Sequence, residues 1–169
     1  MSLNVVRAVD ELVGSAGMSD IVTVGGLPLH PLVVHLVVVI VPLTFAGAFL
    51  MAVWPKFSRR FGPLIAIGAA LGLVSAIIAR QAGEQLAPIV GVSASHLEWG
   101  GRAPWWIAIF GIAVVAFWLV DRGIPANRPR PVWVHVFAGV MVVLGAIAVM
   151  QVMGAGHSGS ESVWLPKIQ

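Results

Sequence analysis

The stretch "GLPLHPLVVHLVVVIVPLTF", residues 26–45, opens a long apolar run with two histidines near its start, His30 and His35. A helix that crosses the hydrocarbon core of a bilayer needs about 20 mostly apolar residues. Three further stretches meet this requirement, and the predicted spans cover about residues 31–54, 63–82, 103–120 and 131–153. The turns after the first and third spans are short, which makes neighbouring spans antiparallel. The sequence therefore predicts an all-α fold, an integral membrane four-helix bundle.

The composition supports this class. Hydrophobic residues make up 59% of the 169-residue chain and charged residues only 10%, whereas a soluble domain carries about 25% charged residues. Lipid must therefore cover most of the surface. The absence of cysteine excludes thiolate-held clusters, thioether-attached haem and disulfides. Ten Lys and Arg against seven Asp and Glu is too small an imbalance to indicate a nucleic-acid partner.

The positions of the charges predict the orientation. Six of the ten basic residues lie in the two short turns: Lys56, Arg59, Arg60, Arg122, Arg128 and Arg130. The positive-inside rule places these turns in the cytoplasm, so both termini face outside the plasma membrane. Residues 1–25 form a separate segment on that outer side, in which "VVRAVDELV" has the periodicity of a helix lying on the membrane surface. Residues 26–169 form the four-span domain.

Four of the five histidines fall on the predicted outer side, namely His30, His35, His96 and His157, and Glu84 and Glu98 belong to the same layer. His135 begins the fourth span on the opposite side. We expect the four outer histidines to converge in one cavity bordered by Glu84 or Glu98. His35 lies about 7 Å deeper than His30 along a helix, so we expect it to be the buried anchor and His30 the rim. Gly154, Gly156 and Gly159 are expected to end the fourth helix before a tight turn at His157.

Several motifs resemble a known family. "GLPLHPLVVHLVVVIVP" at the first span, "AGE" at 82–84, His96 in "HLEWG" and "GHSGSESVW" at 156–164 are similar to the bacterial membrane family catalogued as domain of unknown function 2231, in its actinobacterial branch. The resemblance covers nearly the whole chain. It implies no established activity, but some relatives are fused to cytochrome-type domains, which favours electron transfer. The motif histidines carry over as His30, His35, His96 and His157.

These observations leave three functional readings. In the first, the outer histidines bind haem b or a transition metal for electron transfer, with Glu84 or Glu98 as further metal ligands. In the second, the histidines form a hydrogen-bonded polar plug in a non-catalytic subunit of a respiratory or other membrane complex. The third is a proton or ion path through His35 and Glu84. Whether the protein is an enzyme stays open, although Ser158 lies too close to His157 in sequence to form a hydrolase triad with it.

Overall fold

The computed structural model describes residues 23–125 and 127–168. A short hairpin of strands β1 (Thr23–Val24) and β2 (Leu27–Pro28) precedes four helices, α1 (Leu29–Val53), α2 (Pro55–Val90), α3 (Ala94–Arg122) and α4 (Val132–Ile168). All four helices are long and apolar enough to cross a membrane. The predicted all-α four-helix fold is confirmed. Most of the predicted surface segment at residues 1–25 lies outside the described residues.

The hairpin fixes where α1 begins. Thr23 pairs with Pro28 and Val24 with Leu27, and the two-residue turn between them is Gly25–Gly26 with φ of 60° and 80°. Both values lie in the left-handed region that a two-residue hairpin turn requires and that glycine adopts without strain. The strand therefore runs directly into α1 at Leu29, and His30 lies inside the helix rather than before it.

The helices are longer than the predicted spans. The predicted loop at residues 80–102 is mostly helix, because α2 runs on to Val90 and α3 begins at Ala94. The turn between them is made by Gly91, at a φ of 68°, and by Ser93, whose hydroxyl accepts a hydrogen bond from the backbone N–H of His96 at 3.3 Å.

The prediction that α4 ends at its glycines was wrong, since the helix continues through them to Ile168. Two of these glycines, Gly154 and Gly159, allow close packing. A Cβ atom on Gly154 would lie 2.6 Å from the ring of Trp99, and one on Gly159 would lie 3.0 Å from the ring of His96.

The helices pack as a ring in which each contacts the next and α4 returns to α1. The centre is filled by apolar side chains from several helices, among them Val41, Met51, Ile107, Phe110, Val114, Phe117 and Met141. Gly68 and Gly72 let α2 approach α1, since Cβ atoms there would lie 2.8 Å from Thr44 and 3.3 Å from Val41. The GxxxG pattern therefore serves packing inside the bundle.

A buried ion pair closes one end of the bundle. Arg130 donates two hydrogen bonds to Asp121, at 2.7 and 2.8 Å, and two more to the carbonyls of Met51 and Ala52, at 2.9 and 2.6 Å. The two charged side chains are 4% and 0% exposed. One guanidinium thus joins the end of α1, the end of α3 and the segment that leads into α4.

Candidate functional site

His30 is held by the helix next to its own. Its Nδ1 lies 2.7 Å from the backbone carbonyl of Ala79 in α2. A carbonyl oxygen only accepts, so the ring proton is on Nδ1. Gly83, one turn further along α2, makes room for the ring, since a Cβ there would lie 2.8 Å from both Cε1 and Nδ1 of His30. The ring of His30 is therefore fixed in position and in tautomer.

His96 repeats this arrangement in the second half of the chain. It lies in the first turn of α3, and its Nδ1 donates to the carbonyl of Ala155 in α4 at 3.0 Å. The ring packs on Gly159, again four residues after the accepting residue. The buried hydroxyl of Ser158 donates to the carbonyl of Gly154 at 2.8 Å and also lies 3.2 Å from that of Ala155. The two helical hairpins, α1–α2 and α3–α4, thus each carry one histidine, clamped by an alanine carbonyl and a glycine on the second helix of the hairpin.

The two clamped rings meet at one end of the bundle, which we call the histidine end. Their centroids are 6.0 Å apart and their planes are 82° from parallel. Gly83 meets the Cε1 and Nδ1 side of the His30 ring, whereas the His96 ring lies along α4 so that its Nε2 is also 3.7 Å from a Cβ built on Gly159. Neither Nε2 is hydrogen-bonded to any described residue. Because the ring proton is on Nδ1, each Nε2 carries a lone pair that can accept a hydrogen bond or a metal ion.

An open pocket of about 210 Å³ lies beside the two rings. His30 and His96 line it together with Arg80 and Glu84, and the glycines Gly83, Gly100 and Gly101 form part of its wall. Arg80 donates to Glu84 at 2.8 Å and to the carbonyl of Gly101 at 3.4 Å. A second, mostly apolar pocket of about 70 Å³ also borders His30 and extends along Val34, Val37 and Ala76.

His35 does not belong to this site, and its predicted role as the buried anchor was wrong. The residue is exposed, and its Nδ1 donates to the carbonyl of Pro31 in its own helix at 2.5 Å. The physical reason is helical phase. His30 and His35 are five residues apart, which is about 140° around a helix. Because His30 is helical and faces inward, His35 must face outward.

His157 and Glu98 also point elsewhere. His157 is 78% exposed and contacts Glu161 at 3.3 Å along α4. Because α4 stays helical, the residue lies about 200° around the helix from Ala155, which faces His96. Glu98 is exposed and pairs with Arg102 at 2.6 Å. His135 lies in the first turn of α4 at the other end of the bundle and donates to the carbonyl of Pro131 at 3.2 Å.

The predicted cluster of four histidines is thus a pair. Within residues 23–125 and 127–168, no three His, Asp or Glu side chains lie close enough together to hold a metal ion as they stand. Sequence reasoning missed the two alanines whose carbonyls hold the rings, Ala79 and Ala155, and interpreted Gly159 as part of a helix end. Their signal is an Ala-x-x-x-Gly spacing near the end of the second and fourth spans.

Comparison with known proteins places the chain in a family. Residues 26–169 match the family described as "Predicted membrane protein (DUF2231)". The chain belongs to the DUF2231 family. The match covers the hairpin turn from Gly26 onward and all four helices, so the histidine pair lies within the DUF2231 domain. No curated protein and no solved structure was found to be similar.

Proposed function

We propose that this integral membrane protein binds one transition-metal ion between His30 and His96. The observation that carries the proposal is the shared tautomer of the two rings. Metal-bound histidines nearly always donate their other ring N–H to a carboxylate, a carbonyl or water, which fixes the ring for the ion. Both Nδ1 atoms donate in this way to helix carbonyls, at 2.7 and 3.0 Å.

The spacing of the rings fits a shared ion. With metal–nitrogen bonds of about 2.0–2.1 Å, two imidazoles on one ion have centroids about 5–6 Å apart. The observed separation is 6.0 Å. Imidazole suits zinc, copper, iron and nickel, and the chain offers no thiolate to compete.

The pocket favours an ion over haem b. Sites for drug-sized ligands have volumes of about 300–1,000 Å³, and the macrocycle of haem is at the upper end of such ligands. The two pockets that border His30 measure about 210 and 70 Å³. Haem would need the two helical hairpins to part, and the clamps on His30 and His96 hold each ring against its own hairpin.

The positive-inside rule supports a location on the extracytoplasmic side of the plasma membrane. Copper or iron there would allow electron transfer to a partner in a membrane complex, whereas zinc would not. The electron-transfer role therefore depends on which ion is bound.

A purely structural role is the second candidate. The hydrogen bonds to Ala79 and Ala155 join α1 to α2 and α3 to α4 without any ion. In that case the edge-to-face contact between the rings would join the two hairpins.

Elemental analysis of the detergent-purified protein, with an absorbance spectrum of the same sample, separates these readings. We expect about one zinc, copper or iron ion per chain after incubation with equimolar metal and gel filtration, and no Soret band. A Soret band would support haem instead. If the protein retains no metal and shows no Soret band, the result would support the structural role.

A further inference from the structure

Two exposed ion pairs of the same kind lie near the histidine end. Arg80 and Glu84 pair at 2.8 Å along α2, and Glu98 and Arg102 pair at 2.6 Å along α3. Each pair joins residues four apart, and every side chain is between 40% and 61% exposed. The pairs differ in position. Arg80 and Glu84 line the pocket beside the two histidines, and Glu98 and Arg102 do not.

Glu84 lines the pocket that His30 and His96 border. It follows Gly83, the residue on which the ring of His30 packs. Its side chain is 58% exposed, so rotation about its own torsions meets little obstruction. The contact that holds the carboxylate aside is its hydrogen bond from Nε of Arg80. Two imidazoles and one carboxylate form a common ligand set for zinc and for non-haem iron.

Arg80 has other surroundings once it releases Glu84. Its NH1 group already reaches the carbonyl of Gly101. The side chain also lines a groove of about 360 Å³ between α2 and α3, whose wall includes Gln81, Pro104 and Trp105. Both Arg80 and Glu84 thus border the histidine pocket and this groove, and Arg80 has the carbonyl of Gly101 as a polar contact besides its carboxylate.

We propose that Arg80 and Glu84 form a ligand-exchange switch at the metal site. In the metal-free protein Arg80 holds Glu84 aside, and when an ion binds to His30 and His96 the carboxylate leaves Arg80 and becomes the third ligand. This inference rests on the proposed metal site. It accounts for the absence of a ready-made three-ligand group among the described residues.

The switch makes opposite predictions for the two partners. Removing the carboxylate removes a ligand, so Glu84→Gln weakens binding by at least the roughly 10–100-fold that is lost when a group merely supporting the ligands is removed. Removing the competing cation frees the carboxylate, so Arg80→Gln tightens binding. Glu98→Gln and Arg102→Gln make the same charge changes at the same end of the bundle and leave affinity unchanged.

The test is titration of the metal-free, full-length protein with Zn²⁺ in detergent, for the wild type, these four variants and His30→Ala. A weaker Glu84→Gln together with a tighter Arg80→Gln supports the switch, and loss of folding cannot produce the tightening. If Glu84→Gln binds like Glu98→Gln while His30→Ala abolishes binding, the switch is wrong and the histidine site stands. If the wild type binds no Zn²⁺, Cu²⁺ or Fe²⁺, the metal site fails and the switch with it.

Discussion

His30 and His96 lie with their ring centroids 6.0 Å apart although each is clamped to a different helical hairpin. The contact therefore lies where the two halves of the bundle meet. Anything that binds both Nε2 atoms ties the halves together, and anything that moves either clamp separates the rings.

Alanine at either glycine that contacts a histidine ring is expected to cost stability. Gly83→Ala places a Cβ 2.8 Å from the ring of His30, and Gly159→Ala places one 3.0 Å from the ring of His96. Overpacking of this kind costs about 1–3 kcal/mol and offsets the gain of about 1 kcal/mol that alanine brings to a helix position, so both variants are expected to melt below Gly100→Ala. Gly100→Ala is the matched control, because no atom lies within 4 Å of its Cβ and alanine favours a helix by about 1 kcal/mol over glycine. Equal melting temperatures for Gly83→Ala and Gly100→Ala would contradict the clamp.

In the metal-free protein, replacing His30 is expected to lower the free energy of unfolding more than replacing His35. His30→Ala loses a hydrogen bond worth about 0.5–1.5 kcal/mol and leaves space beside Gly83. His35→Ala changes an exposed side chain, and such changes are usually within about 0.5 kcal/mol. Thermal unfolding of the two variants in one detergent measures the difference. The sequence alone predicted the reverse order, and that order would show that α1 is rotated relative to the structure.

The buried ion pair of Asp121 and Arg130, at the end of the bundle opposite the histidine pair, is expected to contribute strongly to the free energy of unfolding. Asp121→Ala leaves the guanidinium of Arg130 buried without its carboxylate, and breaking a buried pair costs about 3–5 kcal/mol. Arg128→Ala removes a charge from an exposed residue in the same turn and is expected to leave the melting temperature unchanged. The double variant Asp121→Leu, Arg130→Met removes both charges and should recover most of the loss. No recovery would mean that the hydrogen bonds to Met51 and Ala52 matter more than the charge pair.

The orientation can be read by thiol labelling in intact cells. The chain has no cysteine, so an introduced one has no background. Lys56→Cys and Ser95→Cys place exposed thiols at opposite ends of the bundle. An impermeant reagent is expected to label residue 95 and to spare residue 56. The reverse pattern would put the histidine end in the cytoplasm.

The fold was predictable because the thickness of the membrane sets the length of a spanning helix, and an apolar run of that length is visible in the sequence. The ends of the helices were not predictable, because a glycine that ends a helix and a glycine that makes room for a neighbouring ring look alike in the sequence. Gly91 adopts a φ of 68° and ends α2, while Gly154 stays helical and admits the ring of Trp99. Which use applies depends on a side chain from another helix, and a single sequence does not show that neighbour.

For the site, the sequence predicted which end of the bundle carries four of the histidines but not which of them face inward. The sequence placed four histidines near one end, and His30 and His96 do meet there. Which of them face inward depends on the rotation of each helix, and the rotation depends on where the helix begins. The start of α1 at Leu29 turns His30 inward and His35 outward. The unbroken course of α4 likewise turns His157 away from the pocket.

The most direct test of the metal site is X-ray absorption at the zinc edge, on protein loaded with one equivalent of Zn²⁺. We expect two imidazole ligands per ion, with zinc–nitrogen distances of about 2.0–2.1 Å. His30→Ala and His96→Ala should each remove one imidazole, while His157→Ala, whose side chain is 78% exposed, should keep both. A wild-type spectrum with only oxygen ligands, or one that both variants leave unchanged, would contradict a metal ion shared by His30 and His96.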